Sequence, residues 1–257
     1  MPSALHFSAG CAIVGQLKIS VIVPAFNEEK LIANSLASMR EAMRAFGERG
    51  WETELIVCDN NSTDRTAELA RAAGATVVFE PINQIGRARN RGAEAATGDW
   101  LVFVDADSHP SRELFQEVAA AIGSGKYLFG GATVKMAGRH YFASTATALW
   151  NQASRLLKYA AGSFIFCEAA AFRKIGGFDL NLFASEEIDL SQRLKKLARS
   201  EGRKAIILHR HPILSSDRKV KLYSTRELLA LILRAAFFPS RTVRDQKACY
   251  AWYDGRR

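Results

Sequence analysis

The chain has little of what would impose an unusual architecture. Its 257 residues include only four cysteines and six prolines. Cys11, Cys58, Cys167 and Cys249 are scattered, with no C-x-x-C pair and no zinc spacing, which excludes a disulfide scaffold and a structural zinc site. Cys58 and Cys167 sit in apolar runs, as buried thiols do, and this usage fits a reducing, cytoplasmic compartment. No apolar stretch reaches the ~20 residues of a membrane-spanning helix. The nearest, Leu228 to Phe238, is broken by Arg234. The opening residues MPSALHFSAGCAIVGQ lack the basic start of a secretory signal. There is no internal repeat, linker or low-complexity tract. The expectation is a chain that is soluble or, at most, attached to a membrane surface.

Acidic charge is in the minority. Thirty-five basic against 26 acidic residues leave a net charge of +9, which suits nucleic acid, an acidic membrane or a phosphorylated substrate. No nucleic-acid-binding motif accompanies the surplus, so nucleic acid is not the expected partner. The length suits one large α/β domain.

Strands and helices alternate through the first half. KISVIVP reads as a strand. Ile32, Leu36, Met39, Met43 and Phe46 then repeat at helical spacing on one face. The strand ELIVC, the polar turn DNNSTD and the helix RTAELARAAG follow. ATVVF, the helical GRARNRGAEAATG and the strand WLVFV complete this half. The alternation predicts a mostly parallel central sheet flanked by helices, in which ligands bind beyond the carboxyl ends of the strands. Those ends carry polar clusters: AFNEE, DNNSTD and DADSHP. Further on come a helix capped by Ser111, the strand YLFGGATV, a helix over 144–161, the apolar run SFIFC, the turn KIGGFD, a helix from Ser185 and the strand KAIIL.

Asp105 and Asp107, after WLVFV, carry the first chemical signal. Two like charges one residue apart repel, and a cation satisfies both. Hard carboxylate oxygens select Mg²⁺ or Mn²⁺, which bridges readily to a diphosphate. LVFVDAD also resembles the nucleophile motif of haloacid-dehalogenase-type phosphatases. That motif usually opens a domain's first strand, whereas this strand is the fourth and continues Ser108-His109-Pro110.

IVPAFNEE, VCDNNSTDRT and the D-x-D together resemble the family 2 glycosyltransferases of the GT-A fold, a Rossmann-like α/β class. SFIFCEAAAFRKIGGFD and ASEEIDLSQRLKK resemble that family's acceptor-side segment and the start of its acidic helix. The likeness runs from about Ile19 to Arg218. It implies one GT-A domain over 1–257, with a nucleotide-sugar-binding half (18–107), an acceptor-binding half (108–218) and a helical tail (219–257). The implied reaction is metal-dependent, inverting transfer of a sugar from a nucleotide diphosphate donor, UDP-linked by expectation, to a hydroxyl acceptor.

By the same resemblance, Pro24, Ala25, Phe26 and Glu28 line the nucleoside pocket and Asp59 reads the base. Arg89 and Asn90 lie beside the donor diphosphate. Asp105 approaches the ribose or metal-bound water, and Asp107 binds Mn²⁺ or Mg²⁺ directly. Glu187 stands where the family's catalytic base, usually Asp, is found, with Glu186 as its neighbour or substitute. His211, or else His209, is a third metal ligand or a structural histidine. Arg218 closes over the phosphates or belongs to a solvated loop. Ser185 as helix N-cap would put both glutamates in the first turn and keep them ionised. Residues 226–238 suit a membrane interface, or packing on the domain or on a second subunit. The rival activity is a nucleotide-binding GT-A module without transfer.

Overall fold

Long runs of β-branched and aromatic residues make strands that bury both faces. The structure, a computed structural model, describes residues 17–138, 141–216, 218 and 243–249. Its elements are β1 (Lys18–Ala25), α1 (Ile32–Gly47), β2 (Glu52–Asp59), α2 (Thr66–Ala72), β3 (Thr76–Phe79), α3 (Ile85–Ala95), β4 (Trp100–Val104), β5 (Ser108–His109), α4 (Arg112–Gly123), β6 (Tyr127–Met136), α5 (Tyr141–Leu157), β7 (Phe164–Glu168), α6 (Ala169–Lys174), α7 (Glu186–Ser200) and β8 (Lys204–Ser215).

The eight strands form one sheet in the order β3-β2-β1-β4-β7-β6-β8-β5. Alternate residues feed two cores, because side chains along a strand point to opposite faces. Val21, Val23, Val102 and Val104 pack with Leu36, Met39 and Phe46 of α1 and with Phe115 of α4. Ile22, Leu101 and Phe103 pack on the other face with Phe172, Phe178, Leu190 and Leu194. The helical stripe of α1 is buried as its spacing predicts. Ser111 caps α4, its Oγ accepting from Leu114 N at 3.2 Å. On the second face α3 lies so close that a Cβ on Gly92 would come within 2.4 Å of Ile22 Cγ2.

The sheet is more mixed than alternation suggests. β1 to β4 are parallel, but β7 runs antiparallel to both β4 and β6. That inversion places the residues before Phe164 beside the end of β4, since Val104 pairs with Phe164. α5 ends at Leu157, before the expected 161, where Lys158 takes φ +55°. The short α6 between SFIFC and KIGGFD was not expected. β8 continues well past KAIIL to Ser215, and its pairing with β5 draws residue 216 towards Asp107.

Among the described residues no helix is long and apolar enough to cross a membrane. The apolar helix expected at 226–238 lies outside the described residues, as does Cys11. Cys58 and Cys167 are buried free thiols, and Cys249 is also buried.

Candidate functional site

The polar loops after β1 and β2 form one latched unit. Asn27 adopts φ +52°, its Oδ1 accepting from Thr63 N at 2.8 Å while its own N–H donates to Ser62 Oγ at 3.0 Å. The N–H of Glu28 donates to Thr66 Oγ1 at 2.7 Å, and Asp59 Oδ1 accepts from Ser62 N at 3.0 Å. Pro24 and Ala25 end β1 inside the core, beside Cys58 and Asp59 of β2. Phe26 is half-buried above them. Glu28 is buried, and both its oxygens accept from Arg218, at 2.6 and 2.7 Å.

Arg89 of α3 lies inside the protein, not on a donor-facing surface. It is 1% exposed. Its Nη1 donates to Glu186 Oε1 at 2.7 Å, and its Nη2 donates to Asp105 Oδ1 at 2.9 Å and Gly162 O at 2.8 Å. The Phe178 ring lies 5.2 Å from the guanidinium. Burial opposes this charge, but Asp105, Glu186 and Glu187 outweigh it and raise the pKa, so Arg89 stays cationic. This corrects the placement of Arg89 on the diphosphate: its terminal nitrogens are occupied by protein. Asn90 also differs from expectation. Its amide donates to Phe178 O at 3.0 Å and accepts from Phe178 N at 2.9 Å. It clamps the GGFD turn, where Gly177 has φ +70°.

The Arg89 bridge brings the end of β4 to the start of α7. Asp105, Arg89, Gly162, Ser163, Glu186 and Glu187 line a cavity of about 160 Å³. Glu186 is buried and paired with Arg89, whereas Glu187 keeps partial exposure. Burial, followed by repulsion from Glu186, raises Glu187 from the usual carboxylate range to about 8. The expected cap is not formed. Ser185 sits at φ +62° and its side chain makes no capping hydrogen bond, so the predicted lowering of both acids does not occur at Glu187. Desolvation outweighs the helix terminus there.

Asp107 lies at the other edge of the strand end. Its carbonyl accepts from Ser216 N at 3.2 Å, and its Oδ2 is 3.7 Å from Arg218 Nη2. Arg218 therefore joins Glu28 to Asp107, a link across 190 residues that no sequence spacing signals. His211 is placed elsewhere: its Nδ1 lies 2.6 Å from Glu117 Oε1. That contact sets the ring beside α4, and it is Ser215, four residues further along β8, that pairs with Ser108 after β4; the third-ligand role of His211 stays an expectation. Among the described residues no group of three or more His, Cys, Asp or Glu could hold a metal alone. Two carboxylates with hard oxygens remain at the end of β4, and their chemistry would suit a Mg²⁺ or Mn²⁺ ion. Gly162, which lines the cavity beside Ser163, carried no recognisable signal in the sequence.

The model for Glycosyl transferase family 2 matches residues 20–175. An uncharacterized glycosyltransferase of Mycobacterium bovis is 33% identical over 123 residues, 48% of this chain and 52% of the relative. The chain thus spans about half the length of that curated relative. Among solved structures, Staphylococcus aureus TarS 1–349 in complex with UDP-GlcNAc aligns with a TM-score of 0.60 and 21% identity, over 91% of this chain and 69% of that one. Glucosyl-3-phosphoglycerate synthase from Mycobacterium tuberculosis, in complex with Mn²⁺, UDP and phosphoglyceric acid, aligns with a TM-score of 0.56 and 20% identity, over 92% and 78%. These structural likenesses are to the fold.

Proposed function

This chain belongs to glycosyltransferase family 2, and from that premise we propose that it moves a sugar from a UDP-linked donor to a hydroxyl acceptor, with inversion at the anomeric carbon. The fold is GT-A. In this reading 18–107 forms the donor half, 108–218 the acceptor half and 219–257 a tail. The observation that carries the proposal is the Arg89 bridge, which sets Asp105 and the Glu186–Glu187 pair around one cavity. The UDP-GlcNAc complex of TarS and the UDP–Mn²⁺ complex of the synthase support the donor class.

Asp59 and the β1 end, from Pro24 to Glu28, would hold the nucleoside. Asp107, with the free side of Asp105, would hold Mn²⁺ or Mg²⁺, whose chemistry is to neutralise charge on the departing diphosphate. Glu187 would take the proton from the acceptor hydroxyl as that oxygen attacks opposite the leaving group, which gives inversion. Arg89 is a positioning residue: it engages Glu186 and leaves Glu187 as the carboxylate open to the cavity. Family membership removes the phosphatase alternative, and Asp105, held by Arg89, is not poised as a nucleophile.

The test is a thermal-shift screen of nucleotides and nucleotide sugars with and without Mn²⁺, followed by transfer assays on the hits. A UDP-sugar that stabilises the protein only with Mn²⁺, and is then consumed when an acceptor extract is added, is the expected result. Stabilisation without consumption would leave a nucleotide-binding module. No stabilisation by any nucleotide would end the proposal.

A further inference from the structure

A second concavity, of about 780 Å³, lies between α5 and β8. Its lining includes Arg155, Lys158, Lys204, His209 and Arg210, against a single acid, Glu117. That acid already contacts His211. Among the described residues none of Arg155, Lys158, Lys204 and Arg210 has an ion-pair partner. Four unneutralised cations around one groove repel one another, and an anionic occupant relieves that repulsion.

The helix beside the groove adds an apolar element. Leu149, Gln152 and Leu156 follow at i, i+3 and i+7 and so share one face of α5. Gln152 and Leu156 line the groove. Leu149 is 66% exposed and Leu156 82%. Large aliphatic side chains held in water beside a cationic groove have no use in binding a small soluble anion. Beside a bilayer they do, because apolar side chains enter the acyl boundary while basic ones stay with the headgroups.

We infer that the groove between α5 and β8 docks on an anionic lipid bilayer, its basic side chains taking headgroup phosphates while Leu149 and Leu156 enter the apolar layer. The contact is independent of the tail and of the transfer reaction. Its electrostatic part weakens with salt, since exposed charges are screened beyond a Debye length.

The test is sedimentation of the full chain with phosphatidylcholine vesicles, with and without phosphatidylglycerol, at low and high salt. The parent should bind only the acidic vesicles and release at high salt. Lys204→Glu/Arg210→Glu should lower the partition coefficient by about tenfold or more. Arg44→Glu/Arg71→Glu changes the net charge equally on other exposed helices and should lower it far less. Leu149→Ser/Leu156→Ser should also lower it by about tenfold. Thermal midpoints check that each variant is folded, and Lys204→Gln/Arg210→Gln replaces a reversal pair that is not. A parent that stays in the supernatant would overturn the inference. So would equal losses from the two charge pairs, which would assign the attraction to net charge alone. Leucine variants that sediment like the parent would also overturn it, leaving a site for a soluble anion.

Discussion

As the proposed base, Glu187 must lose its proton before it can accept one. Burial and the nearby Glu186 raise it to about 8, so transfer should accelerate with pH through neutrality and level off above about 8. A pH–rate profile that is flat between 6 and 9 would contradict a base at this position. Stability should respond in the opposite direction. Between the ordinary carboxylate range and about 8 the folded chain holds a proton that the unfolded chain has released, so stability falls as pH rises through that window. Glu187→Gln removes this term, and its melting temperature should gain on the parent's as pH rises from 5 to 8. The same variant should lose about 10²–10⁴-fold in transfer rate, whereas Glu187→Asp keeps part of it. Glu186→Gln should behave differently because it strips a carboxylate from the buried Arg89, at a cost of roughly 3–5 kcal/mol. Thermal melts of the two Gln variants at pH 7.5 should therefore shift in opposite directions, and parallel shifts would count against the assigned roles.

At the scale of elements, the GGFD turn hangs from Asn90 by two hydrogen bonds. Asn90→Ala should destabilise the fold by about 1–3 kcal/mol while changing UDP affinity little. A large loss of UDP affinity without a loss of stability would return Asn90 to the donor side. The strands themselves were legible in the sequence. KISVIVP and WLVFV are too apolar for a half-exposed strand, and the polar clusters closing them marked the strand ends that carry the candidate site. The direction of β7 was not legible, because hydrophobic periodicity carries no information about pairing partners. The resemblance puts Arg89 beside the donor diphosphate, and only the fold shows two carboxylates converging on it. Ser185 has the composition of a cap, but its left-handed backbone removes the capping geometry. The length of β8, which sets His211 against Glu117, was not legible either.

For the whole molecule, the account divides labour across the sheet. The parallel half presents Asp59, Glu28 and Asp107 at its strand ends, and the inverted β7 with α7 presents Glu187 opposite. Arg89 spans the two, and Arg218, just after β8, returns to Glu28. Such a division predicts that the halves separate in function: changes on the donor side alter binding, and changes on the acceptor side alter turnover. Calorimetric titration of UDP in saturating Mn²⁺ into the parent, Asp107→Asn and Glu187→Gln tests this directly. The account predicts affinity weakened by about tenfold or more in Asp107→Asn, the loss of one charged contact, and within about twofold of the parent in Glu187→Gln, less than the ~1.4 kcal/mol that a factor of ten represents. Parent-like affinity in Asp107→Asn, or an equal loss in Glu187→Gln, would contradict it.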